Sequence, residues 1–574
     1  MGLIYYAPVI LVICLLCMPP IVMAEGTTKP VSRMAGRHFI QNIDCNDYDY
    51  YAPPGNAQVW MRERYRLMIS SGADVLISDI ALPDVVETIN TPTGEIIGAR
   101  LPDELRKGSK RYQTIMELSG QCTDTLRLAC EEGHRGGALV LAGMRMSDAH
   151  HGEEWMPSSD VELFGKFIMD HPEWCNTWPD GRKDATLNYS VPEVQAHRLA
   201  ILRELAMNYD IDGIELDWMR WCRHFPAGRQ REYMASMTGF VCDVRKMLDE
   251  VAHIKGVDRM ILGHRIAVTM EENLDMGCDI PTWMKDGYAD YVSPMDFLFN
   301  DPNIRTDEYV QAAEGTGCLV YPTVTSKYSF GRMYDDNNLY EGKDNHRAIA
   351  MRTLDRVRAL AHNFFTWGAD GGSCFNMYMW DAEELSFYKQ MTTILSNPKL
   401  SVQGPRHYIY LPIWKDHSGG VGPTKRFNAQ SLSFGTDTVG KRQAFTFRMA
   451  DGRKGEKLKG ILRFRIYDAN AVDAFKIDLN DKSIPVRAIK TQYQPNGEVF
   501  DEELGKNSLP VPKGNPFDHS VPFTWPANLR FEIDLSKCPP FKGDNELGIT
   551  LMNTSIPGKT LVMEAVEIMV EGNR

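Results

Sequence analysis

Between residues 38 and 398, short apolar runs alternate with longer stretches of helical spacing. The runs are Phe39–Asp44, Asp74–Asp79, Ala138–Arg145, Ile211–Asp217, Arg265–Met270, Tyr291–Met295, Cys318–Thr323 and Ser373–Tyr378. A strand buried on both faces reads as a continuous apolar run, and parallel strands need a crossover, usually helical. Eight such runs predict repeated βα units closing into a (β/α)8 TIM barrel over 38–398. Ser190-Val191-Pro192-Glu193 predicts a helix start, with Ser190 as N-cap and the helix running through Leu205. Met237, Phe240, Val241, Val244, Leu248 and Val251 recur at helical spacing and predict a face packed on the barrel. The surplus length falls mainly after strands 3 and 7, on the side where binding loops sit.

Beyond Pro398 the texture changes. Ala444–Arg448, Ile461–Tyr467, Phe475–Leu479, Arg530–Leu535, Leu547–Met552 and Val562–Val570 read as strands separated by Gly, Pro, Asn and Asp turns. We expect a linker and first strand over 399–426, then an all-β sandwich or jelly roll over 427–574.

The first 24 residues carry no charged side chain and end in Val22-Met23-Ala24, after a proline pair at Pro19 and Pro20. That pattern predicts a signal peptide over 1–24, a lead-in over 25–37 and a secreted or periplasmic protein without stable membrane insertion. The other reading of the uncharged stretch is a retained membrane anchor. Over 574 residues, 43% hydrophobic and 24% charged residues exclude disorder and collagen-like repeats. The net charge of −13, without a dense Lys/Arg block, argues against a nucleic-acid partner. Of the twelve cysteines, Cys14 and Cys17 fall in the expected signal peptide, and the other ten are scattered singly with no CxxC, so neither a zinc site nor a disulfide scaffold is indicated. Most are expected to be buried thiols.

Candidate chemistry concentrates in the fourth run, Asp212-Gly-Ile-Glu-Leu-Asp-Trp-Met-Arg220. Strand alternation puts Gly213, Glu215 and Asp217 on one face. Residues two apart along a strand lie about 7 Å apart, so two such carboxyls repel and at least one pKa rises. A general acid near neutral pH needs that. The competing explanation is a pair satisfied by Arg220 or backbone. Trp218, Arg220, Trp221, Arg223 and His224 follow at once; tryptophans stack on sugar faces, and arginines hold hydroxyl or acidic groups.

D-G-I-E-L-D-W-M-R resembles the strand-four signature of glycoside-hydrolase-like TIM-barrel proteins of the family-10-like, clan-A type. Met144–His150, Leu187–Ser190, Asp279–Trp283, and Gly368–Gly372 with Phe375-Asn376 are similar in the same order. The segment is also similar to the chitinase-type D-G-x-D-x-D-x-E run, but Met219 stands where that pattern has its catalytic Glu. The resemblance implies an exported glycoside hydrolase acting on a poly- or oligosaccharide by two-carboxylate chemistry, with no cofactor. Glu215 is then the first candidate acid/base and Asp217 the second. Glu271, read as ending strand 5, and Asp296, ending strand 6, are candidate partners. Clan-A enzymes place a nucleophile at the end of strand 7, yet Val320–Ser326 holds no carboxylate.

Asn42, Asp44, Asp79, Asn376 and Trp380 end or follow other strands and are expected to hold sugar hydroxyls or to cap loops. Arg145, Asp148, His150 and His151 read as substrate contacts or, alternatively, as a metal cluster; adjacent histidines alone do not make a metal site. Phe475–Asn480 and Gly543–Leu551 resemble strands of galactose-binding-like jelly rolls. The segment Lys441–Arg465 carries nine Lys/Arg against two acids, which reads as a solvated sheet face or as a dock for an anionic polysaccharide. The competing functions are a barrel that binds glycans without cleaving them and a metal-assisted esterase or lyase.

Overall fold

The computed structural model describes residues 33–82, 85–148, 161–163, 165–177, 183–296, 299–328, 349–350, 353–379, 382–410, 432–452, 458–495, 527–555, 558–563 and 565–572. The expected signal peptide, His150, His151, Trp380 and most of the expected linker lie outside them.

Nine strands form one curled parallel sheet. They are β1 (Phe39–Asp44), β2 (Val75–Ala81), β3 (Leu139–Arg145), β4 (Gly213–Asp217), β5 (Ile261–Ile266), β6 (Tyr291–Pro294), β7 (Leu319–Val320), β8 (Thr323–Thr325) and β9 (Gly372–Phe375). The order across the sheet is β7-β6-β5-β4-β3-β2-β1-β9-β8. The two edges, β7 and β8, are thus consecutive in the chain, separated by Tyr321-Pro322. Pro322 has no N–H to give the ladder, but its carbonyl accepts from Ser373 N at 3.0 Å. The arrangement is barrel-like.

Helices alternate with these strands: α1 (Ala57–Ser70), α2 (Thr125–Arg135), α3 (Pro192–Asn208), α4 (Met234–Lys255), α5 (Met270–Asp275), α6 (Ile280–Lys285), α7 (Thr306–Ala313), α8 (Leu354–Thr366) and α9 (Ala382–Leu395). The apolar face of α4 is the expected one, with Met237, Phe240, Val241, Val244, Leu248 and Val251 buried. Helix α3 starts after Val191, not Ser190. The Ser190 hydroxyl instead donates to Asn188 Oδ1 at 2.7 Å, so it is not the expected cap.

The fifth strand differs from expectation. It spans Ile261–Ile266, and Met270 opens α5 behind an N-cap at Thr269. Thr269 Oγ1 accepts from Glu272 N, while the Glu272 carboxylate accepts from Thr269 N: a capping box takes these residues out of the sheet.

The large core lies between sheet and helices. A second, smaller cluster fills the inward face of the strands: Ile40, Val75, Ile77, Leu139, Leu141, Ile261, Tyr291 and Tyr321, with Met34 packed into it.

After α9 the strands are antiparallel and form two sheets. One sheet runs β10 (Arg406–Tyr410), β20 (Val566–Val570), β13 (Gly460–Tyr467), β17 (Asn528–Asp534), β16 (Ile489–Gln494), with β11 (Leu432–Phe434) and β19 (Leu561–Met563) attached. The other runs β12 (Arg442–Met449), β18 (Gly543–Asn553), β14 (Ala474–Leu479), β15 (Lys482–Ser483). Phe445, Phe447, Ile549 and Leu551 of the second sheet share a core with Leu462, Phe464, Phe531 and Ile568 of the first.

Candidate active site

Register decides which side chains meet inside the parallel sheet. Gly143 of β3, Glu215 of β4, Gly263 of β5 and Tyr291 of β6 are consecutive lateral partners, so their side chains share one face. Two of the four are glycines, and space is the reason. A Cβ on Gly263 would lie 2.1 Å from the Tyr291 ring. Without it the ring passes over β5, and its hydroxyl donates to Glu215 Oε2 at 2.8 Å. From the other side Asn42 of β1 donates its amide to Glu215 Oε1. Glu215 is 1% exposed. Burial raises its carboxyl to about 8; the Tyr291 donor opposes that rise, Asp217 adds to it, and Arg265 and Asn42 oppose it.

One inward step further along the strands lies a charged row. Arg145 of β3, Asp217 of β4 and Arg265 of β5 are lateral partners. Arg265 donates to Asp217 Oδ2 at 2.7 Å, and its guanidinium stacks 3.8 Å above the Phe375 ring. Asp217 Oδ1 accepts from Met219 N at 2.8 Å. Arg145 bridges Asp79 at 3.2 Å and Asp148 at 2.9 Å. All five side chains are buried, where charges persist only when paired and hydrogen-bonded.

The structure therefore brings together Glu215, Asp217, Asn42, Asp79, Arg145 and Asp148. Asp44 is the last residue of β1. Asp296 is buried just beyond β6. Asn376 follows β9 with a left-handed backbone, φ 50°, and its N–H donates to Asn42 O at 3.2 Å.

Other expected residues lie elsewhere. Glu271 is not at a strand end: it stands exposed on α5 and pairs with Arg231. Trp218 presents no face to a sugar. It has the opposite parity to Asp217 and is fully buried, its indole N–H donating to His264 Nδ1 at 3.2 Å with the Trp283 ring 5.4 Å away. His224 packs edge-on to Trp218 in the same core; burial lowers its pKa to about 4, so the ring is neutral at physiological pH. Arg220 is buried over the Trp221 ring, 5.4 Å from its centroid.

Arg265 and Tyr291 were not singled out from the sequence. Both lie in apolar runs, and only lateral register shows that they meet Asp217 and Glu215.

Among the described residues no group of three or more His, Cys, Asp or Glu is placed to hold a metal ion, and the nine cysteines from Cys122 to Cys538 are free thiols. No helix among them is long and apolar enough to cross a membrane. Four basic residues of the segment 441–465 are paired: Arg442 with Asp478, Arg448 with Asp307 and Asp544, Arg463 with Glu532 and Arg465 with Glu567; Arg453, Lys454 and Lys457 lie outside the described residues.

No family model matches the sequence, and no curated protein does. Solved structures give distant likenesses. One is alpha-L-fucosidase isoenzyme 2 from Paenibacillus thiaminolyticus, 11% identical with a TM-score of 0.38 over 65% of this chain and 51% of that one. Another is the glycoside hydrolase domain of PgaB (BpsB) from Bordetella bronchiseptica, 11% identical with a TM-score of 0.36 over 63% and 99%. A third is alpha-amylase from Geobacillus thermoleovorans, 10% identical with a TM-score of 0.35 over 90% and 99%. The chain spans about half the length of the fucosidase. Likeness of this degree identifies no family.

Proposed function

We propose that the chain is an exported glycoside hydrolase, built on a closed (β/α)8 barrel, that cleaves a glycosidic bond in a poly- or oligosaccharide. The observation that carries this reading is the pair on β4. Glu215, raised to about 8 mainly by burial, holds a proton at neutral pH, while Asp217, two residues on, is paired with the Arg265 guanidinium. Carboxyl groups in such contrasting environments are what acid/base assignment looks for. Glu215 supplies the proton to the leaving oxygen, and Asp217 or Asp296 serves as its partner; Glu271 is not carried forward. Asp79, Arg145 and Asp148 form the charged floor on which hydroxyl or acidic sugar groups would rest. The antiparallel unit, 427–574, is proposed as an appended sandwich domain.

A second reading is favoured by one feature. Both oxygens of Glu215 and both of Asp217 already accept hydrogen bonds, and Leu319–Thr325 carries no carboxylate. That suits a barrel that binds glycans without cleaving them. Reducing-end release across a polysaccharide panel separates the two. Hydrolysis that Glu215→Gln lowers by about 10²-fold or more, with glycan retention in affinity electrophoresis unchanged, supports the enzyme. Retention without release by the wild type supports the binding barrel.

A further inference from the structure

Glu215 has an unusual surround for a buried acid. Its strand neighbours at the same level, Gly143 and Gly263, contribute no side chain. Its two hydrogen-bond partners come from strands further around the sheet, Asn42 on β1 and Tyr291 on β6. Tyr291 is itself fixed from behind, with the Tyr321 ring standing edge-on at 5.9 Å and 90°; the Tyr321 hydroxyl donates to Arg37 O at 2.8 Å. The ring therefore has little freedom, and the empty position at Gly263 is what admits it.

Donor chemistry assigns the two carboxyl oxygens different roles. A side-chain amide N–H can only donate, so Asn42 marks Oε1 as the carbonyl oxygen of the neutral acid. A phenol both donates and accepts, so Oε2 beside Tyr291 is the oxygen able to bear the proton. When that proton leaves, the Tyr291 hydroxyl donates to the resulting carboxylate, a charge-assisted bond roughly twice as strong as a neutral one.

We propose that Tyr291 is a positioning residue of this site: reaching over Gly263, its hydroxyl holds Glu215 against Asn42 and keeps the buried carboxyl able to release its proton. This rests on the glycosidase reading for its purpose, but the placement of the proton does not depend on it. The charged and titratable groups facing Glu215 are Asp217 on its own strand, Arg265 on β5 and Tyr291 on β6. Arg145 stands in the next row, beside Asp217, and its partner Asp79 lies on β2 in Glu215's own row, beyond Gly143. None of the others donates a hydrogen bond to Glu215 Oε2, so the loss of the Tyr291 hydroxyl is not replaced.

Tyr291→Phe removes only that hydroxyl and keeps the ring that fills the space over Gly263. The full chain, labelled with 13C at glutamate side-chain carboxyls, is titrated by NMR, with Glu215→Gln identifying the Glu215 signal. The expected result is a Glu215 midpoint moved upward by about one pH unit or more in Tyr291→Phe, with an unchanged far-ultraviolet spectrum. If the chain hydrolyses a glycan, the alkaline limb of kcat moves upward with that midpoint while KM changes little. A midpoint that stays where it is in the wild type overturns the proposal. A moved midpoint with no hydrolysis by either protein overturns the glycosidase reading and upholds the role of Tyr291 in releasing the proton.

Discussion

A carboxyl taken out of water without an ion pair of its own keeps its proton longer, and Glu215 is such a group. Its folded value of about 8 stands above its ordinary 4.5, so the folded chain binds a proton that the unfolded chain releases. The contribution of this group to stability is fully present below about pH 4.5 and is lost as the pH rises through about 8. Glu215→Gln does not titrate. Between those limits the wild type should therefore lose about 1.4 kcal/mol per pH unit relative to the variant. Urea unfolding at pH 5 and pH 8 measures the difference; a gap that is the same at both pH values sinks the claim. At this scale the sequence was partly legible. Glu215 and Asp217 stand out because strand parity puts both on the inward face. The same parity sends Trp218 outward, and applying it one residue further would have placed that indole in the core. Arg265 and Tyr291 could not be found that way, because lateral pairing belongs to tertiary structure.

At the scale of elements, most strand runs were visible and one was displaced. Ile261-Leu-Gly-His-Arg-Ile266 is broken by a glycine and two polar residues, so the more continuous look of Arg265–Met270 won. Each interruption has a structural cause. Gly263 makes room for Tyr291, His264 accepts from Trp218, and Arg265 pairs with Asp217. Thr269-x-x-Glu272 is itself a capping-box pattern, and reading it would have moved Glu271 from a strand end onto a helix. Gly213 sets the register of the same region. A Cβ there would lie 2.2 Å from the Ile261 carbonyl oxygen, which is backbone and cannot rotate away. Gly213→Ala should therefore force β4 and β5 apart. An overpacked core site costs about 1–3 kcal/mol, and a rigid neighbour puts this one at the upper end. Chemical denaturation reads the loss directly, and a variant as stable as the wild type would show that β4 is free to shift.

For the whole molecule, the two units are joined by polar groups that are hard to move separately. Asn363 on α8 donates to Pro302 O at 2.7 Å and to Arg448 O at 3.2 Å, and accepts from Ala450 N at 2.8 Å. It is buried, and two of those three backbone groups belong to the antiparallel unit. Arg448 adds ion pairs to Asp307 and Asp544 and lies 4.0 Å over the Trp367 ring. Ala359 of α8 belongs to the antiparallel core, while Ile409 of β10 belongs to the large one. Nothing in the sequence marked Asn363 or Arg448 as a joint, because each is ordinary within its own element and only their meeting gives them a task. Asn363→Ala takes the partner from the Ala450 N–H and the Pro302 carbonyl in a closed seam, while Arg448 O keeps the Tyr410 hydroxyl; each buried group so stranded costs about 1–3 kcal/mol. Arg448→Ala removes the guanidinium that pairs with Asp307 and Asp544 on the same seam. With the contacts intact the two cores should melt together in one calorimetric transition. With both substitutions they should melt in two, the earlier one accompanied by loss of β signal while the helical signal persists. Helical and β signals that still disappear together in the double variant would mean that the remaining seam contacts, among them His362 with Asp451, Arg305 with Asp544 and the apolar Ala359 and Ile409, hold the units as one.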